Sequence, residues 1–139
     1  MIPHRIAAVL LGLWAGSLVT VCAIAAPSAF AVLERQLAGQ VAARLFLIES
    51  FIGVVVAAIV FVQARVAGLV LNKATRVAVL IGALAPLLSE IILGPMMQAA
   101  RNAGDMARFG ALHGVSALLF ATACVSAVLA AWFFNRPAA

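Results

Sequence analysis

Four long apolar runs constrain this chain more than any other feature. They cover residues 6–33, 45–64, 77–100 and 109–135. The first holds no charged residue. The second and third hold one each, Glu49 and Glu90, and the fourth holds only His113 as a titratable group. About 20 mostly apolar residues suffice to cross a bilayer as a helix, and each run reaches that length. The connections are short, at 34–44, 65–76 and 101–108, so sequence neighbours must pack antiparallel. The expected fold is all-α: one domain over residues 1–139, an integral membrane four-helix transmembrane bundle with short loops. A β-barrel would alternate polar and apolar residues over about ten positions. These runs are continuous and rich in the helix formers Ala and Leu.

Composition removes most other classes. Sixty-seven per cent of the residues are hydrophobic and 9% are charged, with a mean hydropathy of +1.23. Soluble domains carry about a quarter charged residues. The net charge of +5 sits at membrane edges and not on one face, so nucleic acid is not an expected partner; the lipid bilayer is. Two cysteines without a Cys-x-x-Cys pair argue against a disulfide scaffold or a cysteine zinc site. Phosphate loops, hydrolase elbows and zincin motifs are absent. The N-terminal run resembles a signal peptide, with Arg5 before it and Ala23, Ala25 and Ala26 near its end. Its length and Pro27 favour retention as the first transmembrane helix.

Lys and Arg set orientation. One side carries Arg5, Arg65, Lys73, Arg76 and Arg136. The other carries Arg35, Arg44, Arg101 and Arg108, together with Glu34 and Asp105. The acid-free side is expected in the cytoplasm, with both termini.

Small residues recur every four positions at Ala8, Gly12 and Gly16, and again at Gly110 and Gly114. Such stripes allow close helix approach in lipid. The first expectation is packing inside the bundle, and the second is a homo-oligomer through the Gly12/Gly16 or Gly110/Gly114 face. In the third run Gly82, Pro86, Glu90 and Gly94 are also four apart. Pro86 is expected to kink that helix, with Gly94-Pro95 a second weak point. Arg101 and Met97 share the face of Glu90.

Depth follows from the helical rise. Glu49 and His113 are expected roughly 6–9 Å inside the outer ends of their helices, Glu90 roughly 15 Å and Cys22 roughly 12–17 Å. Cys124 shares a face with His113 but lies deeper. The expected constellation is an outward-opening polar pocket lined by Glu49, Glu90 and His113, with Arg44 and Arg101 at its rim and Cys22 at its floor. Three readings of the acids stand side by side. They can pair with Arg44 and Arg101 in an ion-pair network, they can handle protons or ions, or they can belong to a metal or haem site. His113, Met96 and Met97 are the weak metal candidates, the sulfurs suiting Cu(I). Met96, Met97 and Met106 can equally be flexible apolar filler. Trp14, Trp132, Phe133 and Phe134 require no site, and Trp132 fits an interfacial anchor. His4 and His113 fall on opposite sides and cannot share a haem.

The ordered motifs Leu13-Trp14-Ala15-Gly16-Ser17, Ala26-Pro27-Ser28-Ala29-Phe30, Ala38-Gly39, Arg44-Leu45-Phe46, Gly94-Pro95-Met96-Met97-Gln98-Ala99-Ala100-Arg101 and Phe109-Gly110-Ala111-Leu112-His113-Gly114-Val115-Ser116 resemble the bacterial branch of the transmembrane protein 205-like family, catalogued as domain of unknown function 4149. The resemblance implies a multi-pass protein of the bacterial inner membrane, without an assigned reaction. A more distant likeness to copper-resistance D-like proteins and a haem-dependent protoporphyrinogen oxidase keeps haem and copper as alternatives. The leading expectation is a non-enzymatic membrane protein, with no cofactor. The alternatives are a small proton- or ion-coupled transport protein and a haem- or copper-binding redox protein.

Topology is testable with Cys22 and Cys124 replaced by alanine. In intact cells Lys73→Cys is expected to resist an impermeant thiol reagent and Asn102→Cys to react. The opposite labelling would invert the orientation while leaving the bundle intact.

Overall fold

A computed structural model describes residues 2–136. Four helices are long and apolar enough to cross a membrane: α1 (Ile2–Val32), α2 (Arg35–Val66), α3 (Lys73–Asn102) and α4 (Met106–Phe134). The chain is an all-α integral membrane protein. Each helix packs on two neighbours, α1 on α2 and α4, and α3 on α2 and α4. The four therefore close a ring in which every neighbour is antiparallel.

Local chemistry sets the corners. Leu33 and Glu34 are extended and turn α1 directly into α2. Gly68 and Gly104 adopt positive φ, 65° and 74°, just past the ends of α2 and α3, where glycine avoids a Cβ clash. The Asn72 side chain accepts from the Thr75 amide at 2.7 Å, and Asp105 accepts from the Arg108 amide at 3.0 Å. Each satisfies an orphan N–H at the start of the next helix. The Asn72 amide also donates to the Phe133 carbonyl at 3.2 Å, tying the α2–α3 connection to the end of α4.

Buried positions advance by alternating fours and threes. On α1 the buried series is Ala7, Leu11, Trp14, Leu18 and Val21. On α4 it is Ser116, Phe120, Ala123, Ala127, Ala130 and Phe134. This is the spacing of a supercoiled seam. It decides which small residues face inward. Two positions correspond to about 200° around a helix, so Trp14 inside places Gly12 and Gly16 outside. Both are exposed, as are Gly110 and Gly114, and a Cβ at any of the four would meet nothing within 4 Å. The expectation that these stripes pack the bundle is therefore corrected.

The inward glycines are Gly53 on α2 and Gly82 on α3, and both receive Trp14. A Cβ on Gly53 would lie 3.2 Å from the indole Nε1, and one on Gly82 would lie 2.8 Å from Cη2. The indole thus crosses the bundle from α1 to the diagonal helix α3. It is 1% exposed.

Two helices are locally widened. The hydrogen-bond ladder opens to π turns at Val21–Ala25 in α1 and Ser89–Leu93 in α3. Within them the Ala26 amide donates to the Val21 carbonyl, and the Gly94 amide to the Ser89 carbonyl. A proline follows each, Pro27 and Pro95. Proline has no N–H for the carbonyl four residues back and clashes with it; a wider turn moves that carbonyl away. In α3 the widened turn therefore adjoins Gly94-Pro95, the second of the two expected weak points, while Pro86 lies within regular α-helix.

Gly82→Ala is expected to overpack the indole and cost about 1–3 kcal/mol, read as a lower detergent unfolding midpoint. Trp14→Phe in the same chain is expected to recover part of that loss. An unaffected Gly82→Ala midpoint would contradict the indole's placement.

Candidate functional site

Alternating fours and threes place Glu49 on the inward seam of α2, with Gly53, Val56 and Val60. Its side chain is 4% exposed. Because α2 begins at Arg35 and not near residue 45, Glu49 lies about 21 Å from the N-terminal end of the helix, close to the helix midpoint. The expected depth of 6–9 Å is corrected accordingly.

One hydroxyl reaches this carboxylate. Ser17 Oγ lies 3.1 Å from Glu49 Oε2 and 3.0 Å from the Trp14 carbonyl of its own helix. Its single proton can serve either acceptor. Among the described residues no Lys or Arg nitrogen lies within 4.0 Å of any Asp or Glu carboxylate. The expected pairing of Glu49 and Glu90 with Arg44 and Arg101 is therefore absent. Arg44 is exposed on α2. Arg101 instead sits over the Phe109 ring, 4.6 Å from its centroid, a cation–π contact at the N-terminal end of α4.

Two thiols meet between α1 and α4. Cys124 Sγ on α4 lies 3.1 Å from Cys22 Sγ on α1 and 3.6 Å from the Leu18 carbonyl. Both cysteines are free and half-buried. Cys22 occupies the π turn of α1, one position beyond the seam residue Val21.

The remaining candidates lie elsewhere. Glu90 is half-buried in the π turn of α3. The seam of α3 runs Thr75, Val79, Gly82, Pro86 and Ser89, so it reaches Ser89 where steps of four would reach Glu90. Ser89 Oγ then pairs with Ser116 Oγ of α4 at 2.7 Å in the interior. His113 is exposed and stacks on Phe109, 5.9 Å between ring centroids with the planes 9° apart. These two residues are one helical turn apart, and the imidazole follows its own helix outward instead of entering the bundle. The outward-opening pocket of Glu49, Glu90 and His113 rimmed by Arg44 and Arg101 does not form. Two separate pairs form instead, Glu49 with Ser17 and Cys22 with Cys124; residue type alone does not mark Ser17. Among the described residues no three His, Cys, Asp or Glu side chains are grouped to hold a metal ion. Met96 is exposed and Met97 half-buried, on the helical segment that follows Pro95.

The profile of a family described as "Domain of unknown function (DUF4149)" matches residues 9–106. The chain belongs to this family. In this DUF4149 protein the matched region carries Ser17, Cys22, Glu49 and Glu90, while Ser116 and Cys124 lie beyond it. No curated protein and no solved structure matches the chain.

The absence of ion pairs among the described residues gives an energetic test. Arg101→Ala and Glu90→Gln are expected to shift the unfolding free energy additively, within the roughly 0.3–0.5 kcal/mol typical of independent sites. Ser17→Ala and Glu49→Ala are expected to couple beyond that margin. The reverse pattern would restore the Glu90–Arg101 pair and remove the Ser17–Glu49 contact.

Proposed function

We propose that this DUF4149 protein is a small proton-handling membrane protein whose exchanging group is Glu49. The observation that carries the reading is a carboxylate buried near the middle of a membrane helix with one neutral hydroxyl partner and no cation. An ionised acid at bilayer depth costs about 2.5–3.5 kcal/mol on insertion scales, and such groups mark ion and proton pathways. A purely structural acid would be expected to keep an arginine, and four are available at the outer end. Arg44 is exposed, and Arg101 is engaged by Phe109.

The surroundings support proton exchange over a bulky substrate. Ser17 can donate to the carboxylate or turn its proton to the Trp14 carbonyl, so it can present either a donor or a lone pair. The Trp14 indole N–H lies against Gly53, one turn from Glu49, and is buried without an acceptor. A hydroxyl that can switch partners and an acid with spare acceptor capacity are the elements of a short proton relay. The π turn of α1 beside this layer is the kind of helix defect found often at functional sites. The same reading places the protein in a bacterial inner membrane with Arg5, Lys73 and Arg136 on the cytoplasmic side, following the acid-free grouping of those cations.

Reconstitution tests this directly. Vesicles enclosing a pH-sensitive dye and energised by a potassium diffusion potential are expected to show proton flux above protein-free vesicles. Glu49→Gln is expected to return flux to the protein-free level with the fold intact, while Glu90→Gln keeps it. Wild-type flux equal to that of empty vesicles, or a fully active Glu49→Gln, would overturn the proposal.

A further inference from the structure

We infer that Cys22 and Cys124 form a redox-active dithiol that closes to a disulfide between α1 and α4, with a membrane-dissolved quinone as its two-electron acceptor. The thiol pair can cycle whether or not Glu49 carries protons.

Proximity is the first ground. These are the only two cysteines of the chain; they stand on different helices, 102 positions apart, and their sulfurs are 3.1 Å from one another. The Cys124 sulfur is also fixed from the other side by the Leu18 carbonyl at 3.6 Å. A disulfide needs the sulfurs to approach to about 2.05 Å. That movement is roughly one ångström, within one helix–helix contact.

The backbone is the second ground. Cys22 lies in the Val21–Ala25 π turn, where the ladder is already widened, and Pro27 beyond it supplies no N–H. A residue in such a turn can shift without breaking a regular run of α-helical hydrogen bonds. Cys124 sits in unbroken helix and serves as the fixed partner.

Location selects the oxidant. At 1.5 Å per residue, Cys22 is about 26 Å along α1 from Arg5, and Cys124 about 18 Å along α4 from Arg136. A hydrocarbon core about 30 Å thick therefore contains both sulfurs. Soluble disulfides and glutathione do not enter that layer, whereas a lipid quinone resides in it. Both thiols are half-buried and not sealed in the core, which leaves them an approach from the side of the bundle. The reaction balances as a two-electron exchange. Two S–H bonds break and one S–S bond forms. Both electrons pass to the quinone, and the two protons end on its two oxygens, giving a quinol. A membrane-embedded dithiol donor reverses it by thiol–disulfide exchange, its own thiols becoming the disulfide.

The test uses the intact, pre-reduced protein in detergent under anaerobic conditions. A short-chain ubiquinone analogue is added, and free thiols are then counted by mass-tagged maleimide after denaturation. Both tags are expected to be lost together from a monomeric band and restored by dithiothreitol, with one quinol formed per chain. Cys22→Ser and Cys124→Ser are each expected to keep the remaining thiol taggable and to form no quinol. Two taggable thiols after quinone treatment, loss of tags only in cross-linked dimers, or quinol formation by either single variant would overturn the inference. The wild-type measurement stands alone should a variant fail to fold.

Discussion

The indole of Trp14 in the notches left by Gly53 and Gly82 is the contact on which the rest of the bundle depends. Lipid is as apolar as the helix surfaces, so burial from water contributes little to bringing these helices together. Close packing must supply the attraction. One large planar side chain against two glycines gives many heavy-atom contacts at once, each small and together substantial. It also fixes three helix rotations together. With Trp14 inside, Leu11 and Leu18 follow on α1, Gly53 faces in on α2, and Gly82 faces in on α3. Alanine at position 14 would leave a cavity at the crossing point, of the kind that costs about 3–5 kcal/mol.

That rotation in turn creates the polar layer. Glu49 is one turn from Gly53 on the same seam, so seating the indole brings the carboxylate inside. Ser17 is one turn from Trp14 and meets it there. Cys22 and Cys124 flank the α1–α4 seam in the same part of the bundle, and the Ser89–Ser116 hydrogen bond joins α3 to α4. The interior therefore holds hydroxyls, thiols and one acid, while the guanidinium groups remain at the ends. Ser89 and Ser116 satisfy one another, and Glu49 is left with the Ser17 hydroxyl and no cation.

Span number, helix class and the grouping of cations were legible because they rest on long apolar runs and on charge, which hold however a helix rotates. Rotation was not legible from small residues alone. A four-residue stripe shows that Gly12 and Gly16 share a face, but not what that face meets. The volume of Trp14 decides it, because two positions away means nearly the opposite side. Steps of four also drift from the seam: from Pro86 they lead to Glu90, where alternating fours and threes lead to Ser89. The apolar run alone does not give the position of Glu49 along its helix, because α2 begins ten residues before that run, at Arg35. Pairing of Cys22 with Cys124 depends on two helix rotations at once and lay beyond any one-helix argument.

The central claim is that Glu49 exchanges a proton inside the membrane without a cationic partner. Infrared difference spectroscopy of the reconstituted protein across a pH titration measures this most directly, using Glu49→Gln as the subtraction. The account expects a carboxyl C=O band that titrates, shifts in heavy water and vanishes in the variant. A Glu49 signal that stays carboxylate at every pH, or a carboxyl band that does not shift in heavy water, would contradict it.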